Sequence, residues 1–208
     1  MKRFLSTTIV LLLIAVMFSA CSSSPKVKRT SAGTQIDLSG RWNDSDVRQV
    51  SESLINDCLS SPAVTRFIQE YSSKNKGNLP AALVGRFKND SSEHIDTSII
   101  SKSMEIAIVN SGKLEFVAGG DTREEIRGER QDQQMNASDR TASELFNETG
   151  AALLLTGSVK SIVDRAGNRT VRSYFVSAEL TNIETNRRIW MGENSDIKKE
   201  IVQSKSRF

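Results

Sequence analysis

The chain has 208 residues, with 28 Lys+Arg against 25 Asp+Glu and a formal net charge of +3. So slight a positive balance gives no case for a nucleic-acid footprint. A single histidine excludes a His-based metal cluster.

Lys2 and Arg3 precede a mostly apolar run, Phe4 to Ala20, that stops abruptly at Cys21. A run this short, with charges ahead of it and small Ser19 and Ala20 at its end, reads as a secretory signal and not as a transmembrane helix. The stretch Phe18-Ser19-Ala20-Cys21 resembles a bacterial lipobox, with Phe18 where Leu is usual. That resemblance implies a diacylglyceryl group on the Cys21 thiol and cleavage just before it. Ser22 stands where an Asp would mark retention at the inner membrane, so the outer membrane is expected. Loss of residues 1–20 removes Lys2 and Arg3; 26 basic residues then face 25 acidic ones, and the net charge becomes +1. The pI of 8.9 is therefore partly a property of the signal. The remaining 188 residues suffice for one domain with a real core. With Cys21 acylated, Cys58 is left alone, and no intramolecular disulfide can form. At i, i+4 spacing after Val50 and Leu54, Cys58 reads as a buried core thiol.

Residues 22–40 are polar and nearly free of bulky apolar groups, which predicts a flexible tether. Its nineteen residues span at most roughly 65 Å when taut. A globular domain over 41–204 follows. Asn43 or Asp44 caps a helix with the stripe Val47, Val50, Leu54 and Cys58. Ser61-Pro62 starts a second helix whose face is Val64, Phe67, Ile68 and Tyr71. AALVGRFKN predicts a strand. Residues 96–111 carry Ile100, Met104, Ala107 and Ile108 on one helical face, with Gly112 as terminator; LEFV is a short strand. Residues 121–135 have hardly any apolar groups and are either a solvated helix or a loop. A helix is expected from Ser138 to Gly150, with Ala142, Leu145 and Phe146 facing in. Three strands joined as hairpins close the chain: ALLLTGSVKSIV, TVRSYFVSAELTNI and RRIWM. In the second, Tyr174, Val176, Ala178 and Leu180 share a face. Alternation followed by a meander predicts a single α/β domain, a central mixed sheet flanked by helices, with an antiparallel meander at its C-terminal end.

Catalytic machinery is hard to find. No G-x-S-x-G elbow and no phosphate-binding glycine spacing occur. Asp44 and Asp46, and Asp90, Glu93 and Asp96, could hold a hard cation, yet both groups stand where helix starts attract acids. Glu93 and Asp96 could imitate the carboxylate pair of a glycan hydrolase, a role their helix-start position makes unnecessary. No catalytic residue, metal site or cofactor is expected. Trp190, within RRIWM, reads as core, and Trp42 as a cover for the base of the first helix. Arg123, Arg127 and Arg130 fall on one helical face at i, i+4, i+7, between Glu124, Glu125 and Glu129. They form either a solvated, salt-bridged face or a docking surface for a partner.

The stretches SGRWND, NDSSEHID, SGKLEFV, EEIRGERQDQQ, ETGAALLLTGSV and IETNRRIWMGE, in this order, resemble the LpoB-type lipoproteins that activate penicillin-binding proteins. The similarity runs from Ser39 to Lys199. It implies a fold similar to the N-terminal domain of TolB and an outer-membrane, periplasm-facing lipoprotein. It also implies a bifunctional penicillin-binding protein as partner, stimulated in peptidoglycan synthesis. The enteric members carry a long Pro-rich tether, whereas residues 22–40 hold one proline, Pro25, and the helix at 62–72 is an addition to the enteric pattern. The alternative to this reading is an assembly or structural subunit of an envelope or secretion machine, built on the same fold.

Overall fold

In the computed structural model, which describes residues 27–204, the first helix starts where its capping chemistry lies. Helix α1 (Asp44–Ser60) has Asn43 as N-cap, whose side-chain oxygen accepts the N–H groups of Ser45 and Asp46. The Asp46 carboxylate accepts the Asn43 N–H in return at 2.9 Å, which completes a capping box. Val47, Val50, Leu54 and Cys58 are all buried. Helix α2 (Pro62–Lys74) begins after a one-residue break, with Pro62 at a position that has no helical N–H bond to lose. Of its apolar face Val64 is fully buried, while Phe67 and Ile68 pack against the core only in part.

The remaining elements are β1 (Ala81–Asn89), α3 (Ser98–Ser111), β2 (Glu115–Phe116), α4 (Gly120–Asn136), β3 (Leu153–Ala166), β4 (Arg169–Asn182), β5 (Arg188–Asn194) and β6 (Lys198–Val202). They build a mixed sheet of order β2-β1-β3-β4-β5. β1 lies parallel to β2 and β3, and β3, β4 and β5 form the expected antiparallel meander. β6 was not foreseen: it pairs with Arg169–Ser173 of β4, beside the stretch of β4 that β5 occupies. Helices α1 and α3 pack on each other, α1 against β5 and α3 against β1. The core between them holds Phe87, Ile100, Met104, Leu153, Leu155, Tyr174 and Leu180. Gly157 on β3 faces the Phe87 ring and the Ser177 carbonyl so closely that a Cβ there has no room.

Two local expectations fail. Residues 138–150 do not form a helix; turns at Asp139–Thr141 and Leu145–Phe146 take its place. Phe146, expected to face in, is fully exposed and has φ +60°. The segment is rich in Ser, Thr, Asn and Asp, poor helix formers, and no apolar surface meets its sparse stripe. The preceding segment also buries nothing, yet it is helical as α4. Stronger helix formers and the short-range pairs Arg127–Glu124, Gln133–Glu129 and Asn136–Asp132 account for the difference.

The described residues 27–34 belong to a different unit from the residues that follow. Within it a turn is closed by the Thr34 N–H on the Ser31 carbonyl at 3.0 Å. The main unit begins at Gln35, within the stretch read as tether. Asp37 accepts the Asn43 amide at 2.7 Å and the Lys199 ammonium at 2.6 Å. Gly40, at φ +65°, lies against the Ile201 side chain, where any larger residue would collide. Residues 35–40 are thus solvent-facing yet held at their root.

Candidate functional site

Glu93 and Asp96, the carboxylates weighed as a hydrolytic pair, are engaged in holding the fold. Glu93 is bonded by Arg172 and by the Tyr174 hydroxyl on one oxygen, and its other oxygen accepts the Trp42 N–H at 3.2 Å. Trp42 packs edge-on to Tyr174, with centroids 5.2 Å apart. Asp96 accepts both the N–H and the hydroxyl of Ser98 at the entry to α3, and these bonds hold its carboxyl below the usual range. Glu93 therefore ties three distant segments together, and Asp96 shapes a helix start. Trp190 is buried and donates its indole N–H to Asp57 at 2.9 Å. Cys58 is free and buried, and desolvation pushes its thiol up to about 12. Among the described residues no cluster of His, Cys, Asp or Glu could hold a metal ion. Nor is any described helix long and apolar enough to cross a membrane.

The three arginines singled out by spacing lie on α4, a helix with no buried residue. Arg123 donates through Nε to the Ala118 carbonyl at 2.9 Å, which fastens the first turn of α4 to the strand end before it. Arg127 reaches Glu148 at 2.9 Å and Arg130 reaches it at 3.2 Å. Gln134 and Gln133 bond the backbone of Ser143 from the same helix. The returning segment 137–150 is thereby strapped to α4, and together they form an arm that stands off the sheet. Arg127 holds the Glu148 carboxyl below its usual range, mainly through their hydrogen bond. Phe146 and the half-exposed Leu145 project from this strap. Sequence periodicity brought the arginines together but placed Phe146 in the core. The signal that was overlooked is how few apolar residues accompany it. Cys21, the expected acylation site, lies outside the described residues.

The family model described as peptidoglycan-synthase activator LpoB matches residues 46–195. The chain belongs to the LpoB family. The matched span runs from α1 through β5 and takes in the whole arm. Among solved structures, the chain is similar to the LpoB C-terminal domain from Salmonella enterica, with 15% identity, 76% of this chain and 99% of that one covered, and a TM-score of 0.41. The LpoB C-terminal domain from Escherichia coli gives 16% identity, 71% and 96% coverage, and a TM-score of 0.44. Lipoprotein GNA1162 from Neisseria meningitidis gives 17%, 61% and 88%, and 0.36. No curated protein sequence matches. As an LpoB-family protein, the chain takes its place among peptidoglycan-synthase activators, with a mixed sheet flanked by helices.

Proposed function

We propose that this protein is a non-enzymatic lipoprotein, anchored in the outer membrane through Cys21, that binds a bifunctional penicillin-binding protein and raises its peptidoglycan-synthase activity. Membership of the activator family over residues 46–195 carries the reading. An activator of this kind works through differential affinity: it favours the active conformation of the enzyme by binding that state more tightly. No chemistry of its own is needed, which agrees with the structural employment of Glu93 and Asp96.

The arm supplies the docking surface in this proposal. Exposed aromatics and arginines contribute most to protein interfaces, and the arm offers both: Phe146 lies two residues from the Glu148 that Arg127 and Arg130 bind. A non-glycine residue at φ +60° costs backbone energy, and a fully exposed Phe returns nothing for it within the domain. Arg123, Arg127 and Arg130 present this surface and fix its shape through Ala118 and Glu148.

The test uses the purified full chain and the bifunctional penicillin-binding protein of the same cell. Wild type is expected to bind the enzyme and to accelerate glycan polymerisation, and Phe146→Ser and the Arg123/Arg127/Arg130→Glu triple variant to lose at least about tenfold in affinity. Absence of binding and an unchanged polymerisation rate with wild type would exclude the activator role. Undiminished activation by both variants would move the docking surface off the arm.

A further inference from the structure

Between α2 and the β4–β5 turn runs an open groove of about 880 Å³. The rings of Phe67 and Tyr71 lie along it, 6.1 Å apart, with Arg66, Lys74, Arg187 and Arg188 around them. Arg188 is paired with Glu179 at 2.8 Å. Arg66, Lys74 and Arg187 have no ion pair among the described residues. Two acids, Glu70 and Glu184, also line the groove; against the three bases without an ion pair they leave a net charge of +1.

The opposite charge is displayed elsewhere on the same chain. At 100° per residue, Asp121, Glu125, Glu129 and Asp132 fall on one side of α4, facing away from Arg123, Arg127 and Arg130. All four are exposed, and none forms an ion pair among the described residues. Like charges at i, i+4 repel and weaken a helix that already gains nothing from burial. The arm as a whole, residues 120–148, holds eight acids against four arginines. Met135, 75% exposed, adjoins the acidic face near its C-terminal end. The arm springs from β2, at the opposite edge of the sheet from β5 and the groove beside it.

We propose that the groove receives the acidic face of α4 from a second copy of this chain. Carboxylates then meet Arg66, Lys74 and Arg187, and Met135 rests on the Phe67 and Tyr71 rings, a favourable sulfur–aromatic contact. Groove and arm are different surfaces, so the contact is head-to-tail: each copy receives one neighbour and enters another, which yields a ring or an open chain. The face used is the one the arginines and Phe146 leave free. The inference therefore stands or falls apart from the synthase reading.

A mixing experiment decides it. The full chain in neutral detergent is followed by sedimentation velocity as wild type, as a groove variant (Arg66→Glu with Arg187→Glu) and as an arm variant (Glu125→Lys with Asp132→Lys). Wild type is expected to grow in mass with concentration, and its association to weaken at least about tenfold between about 0.05 M and about 0.5 M salt, as screening demands. Each variant alone is expected to stay monomeric. A 1:1 mixture retains one intact groove and one intact arm, and should form a dimer and nothing larger. That recovery also proves both variants folded. Monomeric wild type, a variant that associates like wild type, or a mixture that stays monomeric each overturns the proposal. In the first case the groove is left to an acidic segment of another protein.

Discussion

Lys199 on β6 and Asp46 on α1 form an ion pair of 2.7 Å in which the lysine side chain is 10% exposed and the carboxylate 4%. The pair joins the last strand to the first helix, 153 residues apart in sequence. The same ammonium also bonds Asp37 and the Arg41 carbonyl, so one side chain fastens the segment leading into α1 to the last described strand.

Removing the lysine leaves a buried carboxylate without its cation, a loss of about 3–5 kcal/mol. Lys199→Met is therefore expected to lower the denaturation midpoint markedly. Lys199→Met with Asp46→Asn should recover part of that loss, because the amide no longer carries a charge. Equal stability of wild type and Lys199→Met in urea titration would show that the pair contributes nothing. Protease cleavage near Asp37 is expected to accelerate in the single variant.

Cys58 sits on the buried face of α1 with its thiol raised to about 12 by burial. Thiolate is the reactive form, so at pH 8 the folded protein should resist iodoacetamide for hours. Addition of denaturant should make the thiol react within minutes. Fast labelling of the native state, read by mass spectrometry, would contradict the buried-thiol assignment.

Glu148 has its carboxyl lowered from an ordinary value of 4.5, chiefly by the Arg127 hydrogen bond. The folded value lies below the unfolded one, so the stabilisation is complete above about pH 4.5 and fades as pH falls through the lower folded value. The arm strap is thus expected to hold at pH 5 and to loosen only in stronger acid, read by hydrogen exchange at residues 140–148. Because α4 buries nothing, Glu148→Gln and the triple arginine reversal should shift the melting temperature of the sheet by no more than about 3 °C. A larger fall would mean the arm supports the core.

The anchor gives the last expectations. Each buried CH₂ of an acyl chain contributes about 0.8 kcal/mol, so two or three chains hold far more firmly than one. Cys21→Ser should release the protein from membranes or leave it unprocessed; a cleaved, membrane-bound variant would refute acylation. Asp37 and Gly40 hold 35–40 on the domain, so under the proposed anchoring only residues 21–34 are left to supply reach, at most roughly 50 Å. Function should tolerate Gly/Ser insertion there and fail when about ten residues are deleted. Full complementation by that deletion would show that reach is not limiting.

Local chemistry already contained most of the fold. The Asn43 capping box, Pro62 at a helix start, Gly112 at a helix end and the alternating burial of Tyr174, Val176, Ala178 and Leu180 depend on residues within a few positions of one another. Such signals are readable along the chain because their partners are neighbours in it. Phe146 shows the limit. A helical apolar pattern states that a face could be buried, but only the tertiary arrangement decides whether a surface exists to cover it, and here none does. Lys199 shows the converse: its sequence neighbours announce no buried ion pair, and the partners Asp46 and Asp37 arrive from the other end of the chain. The arm and the groove follow the same rule. Their charges are written in the sequence, but the strap through Glu148, the outward turn of the acidic face and the pairing of Phe67 with Tyr71 beside the β4–β5 turn required the fold. Long-range electrostatics and burial depend on three-dimensional neighbours, and these the linear order does not specify.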